Sequence, residues 1–148
     1  MAQRKDHIIL GGAAGAAIAV WRAPNRKPED KVFGGLGCII GGVAGSRMPD
    51  ILDPPTYPGH RDFGHSISAG ITLIKASEFA KDAEASLIAY ADEYSLRCEA
   101  STNTIDKLAY VLGELSFRMA AGFVPGFIAG YISHLALDGT TKRGLPIV

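Results

Sequence analysis

Several things are scarce in this sequence. It has two cysteines, Cys38 and Cys98, far apart and in no motif spacing. That excludes the dense disulfide framework of small secreted domains. The plain reading is two free thiols, neither of them a metal-ligand candidate. No charge of either sign is in excess: 15 Lys and Arg balance 15 Asp and Glu. Bulk electrostatics therefore give no basis for nucleic-acid binding, which calls for a clear basic surplus. Strand-like alternation and internal repeats are missing too. So is an unambiguous membrane-spanning run.

What is there begins with four apolar segments: Ile8 to Trp21, Val32 to Ser46, Phe63 to Ile74 and Met119 to Leu137. At about 1.5 Å per residue the first three cover only ~20 Å, short of a ~30 Å hydrocarbon core. They suit core helices, half-spanning helices or interfacial segments. Only the fourth is long enough to cross, and it contains Pro125, Gly126 and His134.

Glycine is abundant, 18 of 148 residues, and sits inside these apolar runs at helical spacing. Gly11 and Gly15 are four apart, as are Gly37, Gly41 and Gly45, and again Gly122, Gly126 and Gly130. An exposed helix loses about 1 kcal/mol for each glycine in place of alanine. Rows of glycine repay that loss where two helix backbones approach closely, as in membrane bundles. The partner helix can belong to the same chain or to a second copy, so a homo-oligomer is also an expectation. The mean hydropathy of +0.14 is low for a polytopic membrane protein.

Arg22 to Lys31 reads as a polar loop, with Pro28, Glu29 and Asp30 suited to the first turn of the next helix. Met48 to Gly59 holds four prolines and reads as an irregular loop. Ser77 to Arg97 is amphipathic, with Phe79, Ala83, Leu87, Ala91 and Tyr94 recurring at helical spacing. The stretch from Lys75 to Lys107 carries seven acids and four bases, as a solvated face would. Ser101 to Thr104 breaks the chain, and Thr104 is an N-cap candidate for a helix from Ile105. The expected fold is an all-α bundle of about five helices in one domain, residues 1–148, with 77–107 as its polar amphipathic part. Its glycine-rich helices would lie in or against a membrane; a soluble cytoplasmic bundle is the alternative.

All four histidines fall in or beside short motifs accompanied by carboxylates. His7 opens the first helix. Asp50 and Asp53 lie in the proline-rich loop. His60, Arg61, Asp62, His65 and Ser66 follow it. His134 and Asp138 are four apart, on one face of a helix, where they can share a zinc-like ion or the carboxylate can orient the imidazole. They end the most apolar segment of the chain, where an uncompensated polar pair is costly to bury. A metal is one explanation for such a pair, and a solvated pair is the plain alternative.

The runs M-P-D-I-L-D-P-P, H-R-D-F-G-H-S and G-Y-I-S-H-L-A-L-D-G-T-T-K-R-G-L-P resemble the YdjM-like family of membrane-associated metal-dependent hydrolases. That family shows a Pro-Asp-x-Asp loop, a His-Arg-Gly-x-Thr-His-Ser motif and a Gly-Tyr-x-x-His-x-x-x-Asp ending, and His7 falls where it has an early histidine. This place for His7 argues against reading the basic start and first apolar run as a secretory leader. The sequence departs from the pattern at Asp50-x-x-Asp53, at Pro54 (often histidine), at Asp62 (glycine) and at Gly64 (threonine). The family is thought to be distantly like zinc-dependent phospholipase C and single-strand nucleases.

The resemblance implies a hydrolase that cleaves a lipid or nucleotide phosphoester with a divalent metal, zinc before manganese. Its ligand candidates are His7, Asp53, His60, His65, His134 and Asp138, with Asp50 in reserve. Arg61 would contact a phosphate oxygen, and Asp62 would act as a base or support a ligand. Ser66 and Thr140 suit helix caps better than nucleophiles, and Tyr57 and Tyr131 suit packing. The implied location is the inner membrane or its surface. Two other readings stand beside this one: a non-catalytic membrane or interaction protein with a structural metal or polar core, and a small pore or transport component.

Overall fold

A computed structural model describes residues 4–54, 63–140 and 145. The described residues are almost wholly helical, with no strand among them. Helix α1 spans Arg4–Arg22 and ends in a 3-10 turn, Ala23–Asn25. Helical backbone resumes at Pro28, widens into a π-helical turn over Asp30–Gly34, and continues as α2, Gly35–Gly45. Helix α3 is a single short turn, Met48–Leu52. A 3-10 turn, Phe63–His65, leads into α4, Ile67–Ala100, and then α5, Thr104–Gly139.

The five α-helices differ in their boundaries from the sequence expectation. The third apolar segment and the amphipathic stretch form one helix of 34 residues, α4. The helix from Ile105 and the fourth apolar segment likewise form one helix of 36 residues that passes through Pro125. Polarity changes along both, but no helix-terminating signal accompanies the change. The N-cap of α5 is Asn103, whose side chain accepts from the Ile105 N–H, rather than Thr104. Part of the proline-rich loop is helical after all, because Pro49 sits in the first turn of α3, where its fixed φ fits and no N–H is needed.

Helix α5 is the spine, with α1, α2 and α4 packed on it and α2 also packed on α1. In the α1–α2 and α2–α5 seams the helix backbones themselves meet. A Cβ on Gly37, Gly41 or Gly45 would meet a carbonyl oxygen of α5 at 2.0–2.3 Å. One on Gly122, Gly126 or Gly130 would meet a carbonyl at 1.9–2.1 Å on the Gly34–Gly42 side. Gly15 is equally tight against Cys38. The three glycine rows are therefore engaged within the chain, filled by neighbouring backbone. They neither line a passage nor lie open to a second copy. Cys38 and Cys98 are free thiols.

Many large apolar side chains face outward while several charged groups are buried. Ile9, Trp21, Leu36, Ile40, Ile71 and Ile74 are 47–77% exposed, while His7, His65, Glu84, Arg118, His134 and Asp138 are buried. Lipid-facing surface has this character, and α5 is long and apolar enough to cross a bilayer. Among the described residues the buried charges form two clusters. One is ionic: Arg118 bonds Asp30, Glu114 and Asp92, and Glu84 bonds Arg22 and Arg26. The other, 16 residues and about 24 Å further along α5, gathers histidines and aspartates.

Candidate metal centre

Four segments bring side chains to the second cluster. His7 comes from the first turns of α1. Asp50 lies on α3 and Asp53 directly after it. His65 closes the 3-10 turn before α4, and His134 and Asp138 share one face of α5. His60, Arg61 and Asp62 lie outside the described residues.

Asp138 is the hub. Its Oδ2 lies 3.5 Å from His134 Nε2 and 3.7 Å from His65 Nε2, and its Oδ1 lies 3.7 Å from His7 Nε2. On the other side, Asp50 Oδ1 is 3.3 Å from His65 Nε2 and 3.8 Å from His134 Nε2. Asp53 Oδ2 is 3.4 Å from His65 Nδ1 and also accepts from the His65 main-chain N–H. The rings of His7 and His134 stack, with centroids 3.8 Å apart.

Local structure explains why these groups hold still. His134 Nδ1 donates to the Ser46 carbonyl at 2.5 Å, which turns its Nε2 toward the carboxylates. Tyr131 donates to the Gly64 carbonyl at 2.7 Å, fastening the turn that carries His65 to α5. Ser66 caps α4 by accepting from the Ala69 N–H. Gly64 passes so close to Asp53 that a Cβ would lie 2.9 Å from the carboxylate. Ser66 and Tyr131 thus have the capping and packing roles read from the sequence. Ser46 had no sequence signal, because it contributes a main-chain oxygen. The Arg118 and Glu84 clusters were also missed, since their partners lie far apart in the chain.

The carboxylates and imidazoles shift one another's acidity. Burial pulls the His65 imidazole down, but its hydrogen bonds to Asp50 and Asp53 outweigh this and leave His65 above its usual range. The hydrogen bond to His65 in turn holds Asp50 below the usual carboxylate range. Two buried nitrogens, His7 Nδ1 and His134 Nε2, have no hydrogen-bond partner among the described residues.

These residues fit a divalent metal. Two sets, His7 with His134 and Asp138, and Asp50 with His65 and His134, each place three ligand atoms within 4.8 Å of one another. Ligands bound about 2.0–2.1 Å from one tetrahedral ion stand roughly 3.3 Å apart, close to the 3.3–3.8 Å separations found here. The orphaned imidazole nitrogens are the donor type such an ion takes.

No curated protein matches this sequence, and no solved structure matches it. A family model described as "YdjM inner membrane protein" matches residues 1–148. With that match over its whole length, the chain belongs to the YdjM inner membrane protein family.

Proposed function

We propose that the protein is a metal-dependent hydrolase of a lipid or nucleotide phosphoester, working at the inner membrane. His7, Asp50, His65, His134 and Asp138 would hold the metal, zinc in preference to manganese, with Asp53 supporting His65 from its other ring nitrogen. The observation that carries this reading is a pair of buried nitrogens, His7 Nδ1 and His134 Nε2, that have no hydrogen-bond partner among the described residues, in a cluster whose Asp138 carboxylate faces three imidazoles.

When bound, a divalent ion lowers the pKa of a coordinated water and polarises a phosphoryl oxygen. The chain's own contribution is position. Ser46 sets the His134 tautomer, and Asp53 orients His65 from its far side. Asp50 is the open edge: its side chain is 33% exposed, against 1% for His65 and 0% for His134. An ion held here would have a face toward solvent, as catalysis requires and a saturated structural site lacks. Arg61 is assigned to the substrate phosphate and Asp62 to proton transfer, from their place beside His60 and His65.

The second reading is a structural metal or a polar core, favoured by the near-complete burial of His65 and His134. One preparation separates the two. Purified protein is analysed for metal, then assayed on a chromogenic phosphodiester and on phospholipid. Bound zinc or manganese with hydrolysis that fails in Asp50→Asn supports the hydrolase. Bound metal without hydrolysis of either substrate supports the structural role. A wild type that stays metal-free after zinc loading and desalting removes both metal readings.

A further inference from the structure

Helices α1 and α4 both lie along α5 with their backbones set apart, joined by the Arg22–Glu84 ion pair, and between them runs a groove of about 630 Å³. Its long part is apolar, walled by Ile18 of α1 and by Val124, Ile128, Ala129 and Ile132 of α5. From Val124 to Ile132 this wall extends for about 12 Å. Its other end is cationic: Arg22, Arg26 and Lys81 line it, with Glu84 the facing carboxylate.

Glu84 does not use up these cations. It takes Arg22 and Arg26 through one nitrogen of each, Nη2, at 2.6 and 2.5 Å. A guanidinium has five N–H donors on a planar fork, so each arginine keeps an edge for another anion. Lys81 bonds Glu78 at 3.0 Å on an exposed surface, where such a pair is weak. A small anion would leave the apolar wall wet, and a plain hydrocarbon would leave the guanidinium edges without a partner. An amphiphile with a phosphate head meets both ends.

We propose that this groove binds one anionic phospholipid, its phosphate on Arg22, Arg26 and Lys81 and an acyl chain along Ile128 and Ile132. Membership of an inner membrane family puts such a ligand within reach. The site stands whether or not the His/Asp centre turns over a substrate.

Trp21 is the single tryptophan of the chain and lines the groove, so it reports occupancy. Protein in neutral detergent is titrated with phosphatidylglycerol brominated on its acyl chains. The expected result is Trp21 quenching that saturates near one lipid per chain, with brominated phosphatidylcholine weaker. Lys81→Glu changes only an exposed side chain and should weaken binding by about tenfold. Ala129→Phe fills the wall and should abolish saturation. Quenching that rises with lipid content alike in wild type and both variants would come from bulk lipid and overturns the proposal. Displacement by inorganic phosphate alone would overturn it too, by assigning the cationic end to a small anion.

Discussion

His134 is held by Ser46: the imidazole Nδ1 donates to the Ser46 main-chain carbonyl across 88 positions of sequence. A carbonyl can only accept, so the Nδ1 carries the proton and a neutral His134 presents a bare Nε2 to Asp50 and Asp138. Outer partners of this kind fix the tautomer and aim of a ligating histidine. Gly11 packs on Ser46 from α1, where a Cβ would lie 2.3 Å from the serine Cβ.

Gly11→Ala should therefore reach the metal centre without touching it. Displacing Ser46 misaims His134, and zinc affinity should fall by about 10–100-fold, the range for loss of an outer partner. His134→Ala removes the donor itself and should lose more than that. Zinc titration against a competing chromophoric chelator checks both. Equal affinity in Gly11→Ala and wild type would mean that the Ser46 contact does not position the ring.

Gly126 in the α2–α5 seam is needed for close contact, whereas Gly12 on α1 is not. A Cβ on Gly126 would lie 2.1 Å from the Cys38 carbonyl oxygen, which is backbone and cannot swing aside. Gly126→Ala should cost at least about 1–3 kcal/mol, as overpacking does. Gly12 meets only Val43 Cγ2 at 3.4 Å, so Gly12→Ala should gain about 0.5–1 kcal/mol from helix propensity. Unfolding of both variants in the same detergent tests the opposite signs.

Arg118 is 3% exposed and bonds Asp30, Glu114 and Asp92, carboxylates from three different elements. Removing one partner of a buried charge group costs about 3–5 kcal/mol, because the other charges stay behind. Arg118→Met should lose stability on that scale. Arg118→Lys should recover little of it, since an ammonium keeps the charge but cannot fork to three acids. A lysine variant as stable as wild type, by chemical unfolding, would show that charge alone holds the cluster.

The sequence made some of this legible and hid the rest for physical reasons. The i, i+4 spacing of His134 and Asp138 survives any helix placement, so their shared face could be read directly. The glycine rows announced close helix approach, again through spacing. Where α4 and α5 run on past a change of polarity, the apolar pattern misled. Pattern reports environment, and one helix can pass through two environments. Asp50 was harder to rank than Asp53, because α3 is one turn long and its register decides which carboxylate faces inward. Both arrive, on opposite nitrogens of His65. Ser46 and the Arg118 cluster were invisible for a different reason: a main-chain oxygen has no residue signature, and ion pairs 88 residues apart follow from the fold.

Metal binding should weaken as the solution is acidified, and His65 sets where. Burial lowers its basicity, yet the Asp50 and Asp53 hydrogen bonds leave it protonated to a higher pH than a free imidazole. A metal takes only the neutral ring, so binding must expel that proton. Below the raised pKa each unit of acid makes the exchange harder, and above it His65 no longer opposes binding. Zinc affinity should thus rise with pH through the His65 titration and then level off. Asp53→Asn removes one carboxylate that props the pKa up, from the ring nitrogen facing away from Asp50 and Asp138. The midpoint should move to lower pH, and fewer protons should be released at neutral pH. Titration calorimetry in buffers of different ionisation enthalpy counts those protons directly. A proton count unchanged by Asp53→Asn would mean that His65 is already neutral before metal arrives, and that Asp53 serves only to aim it.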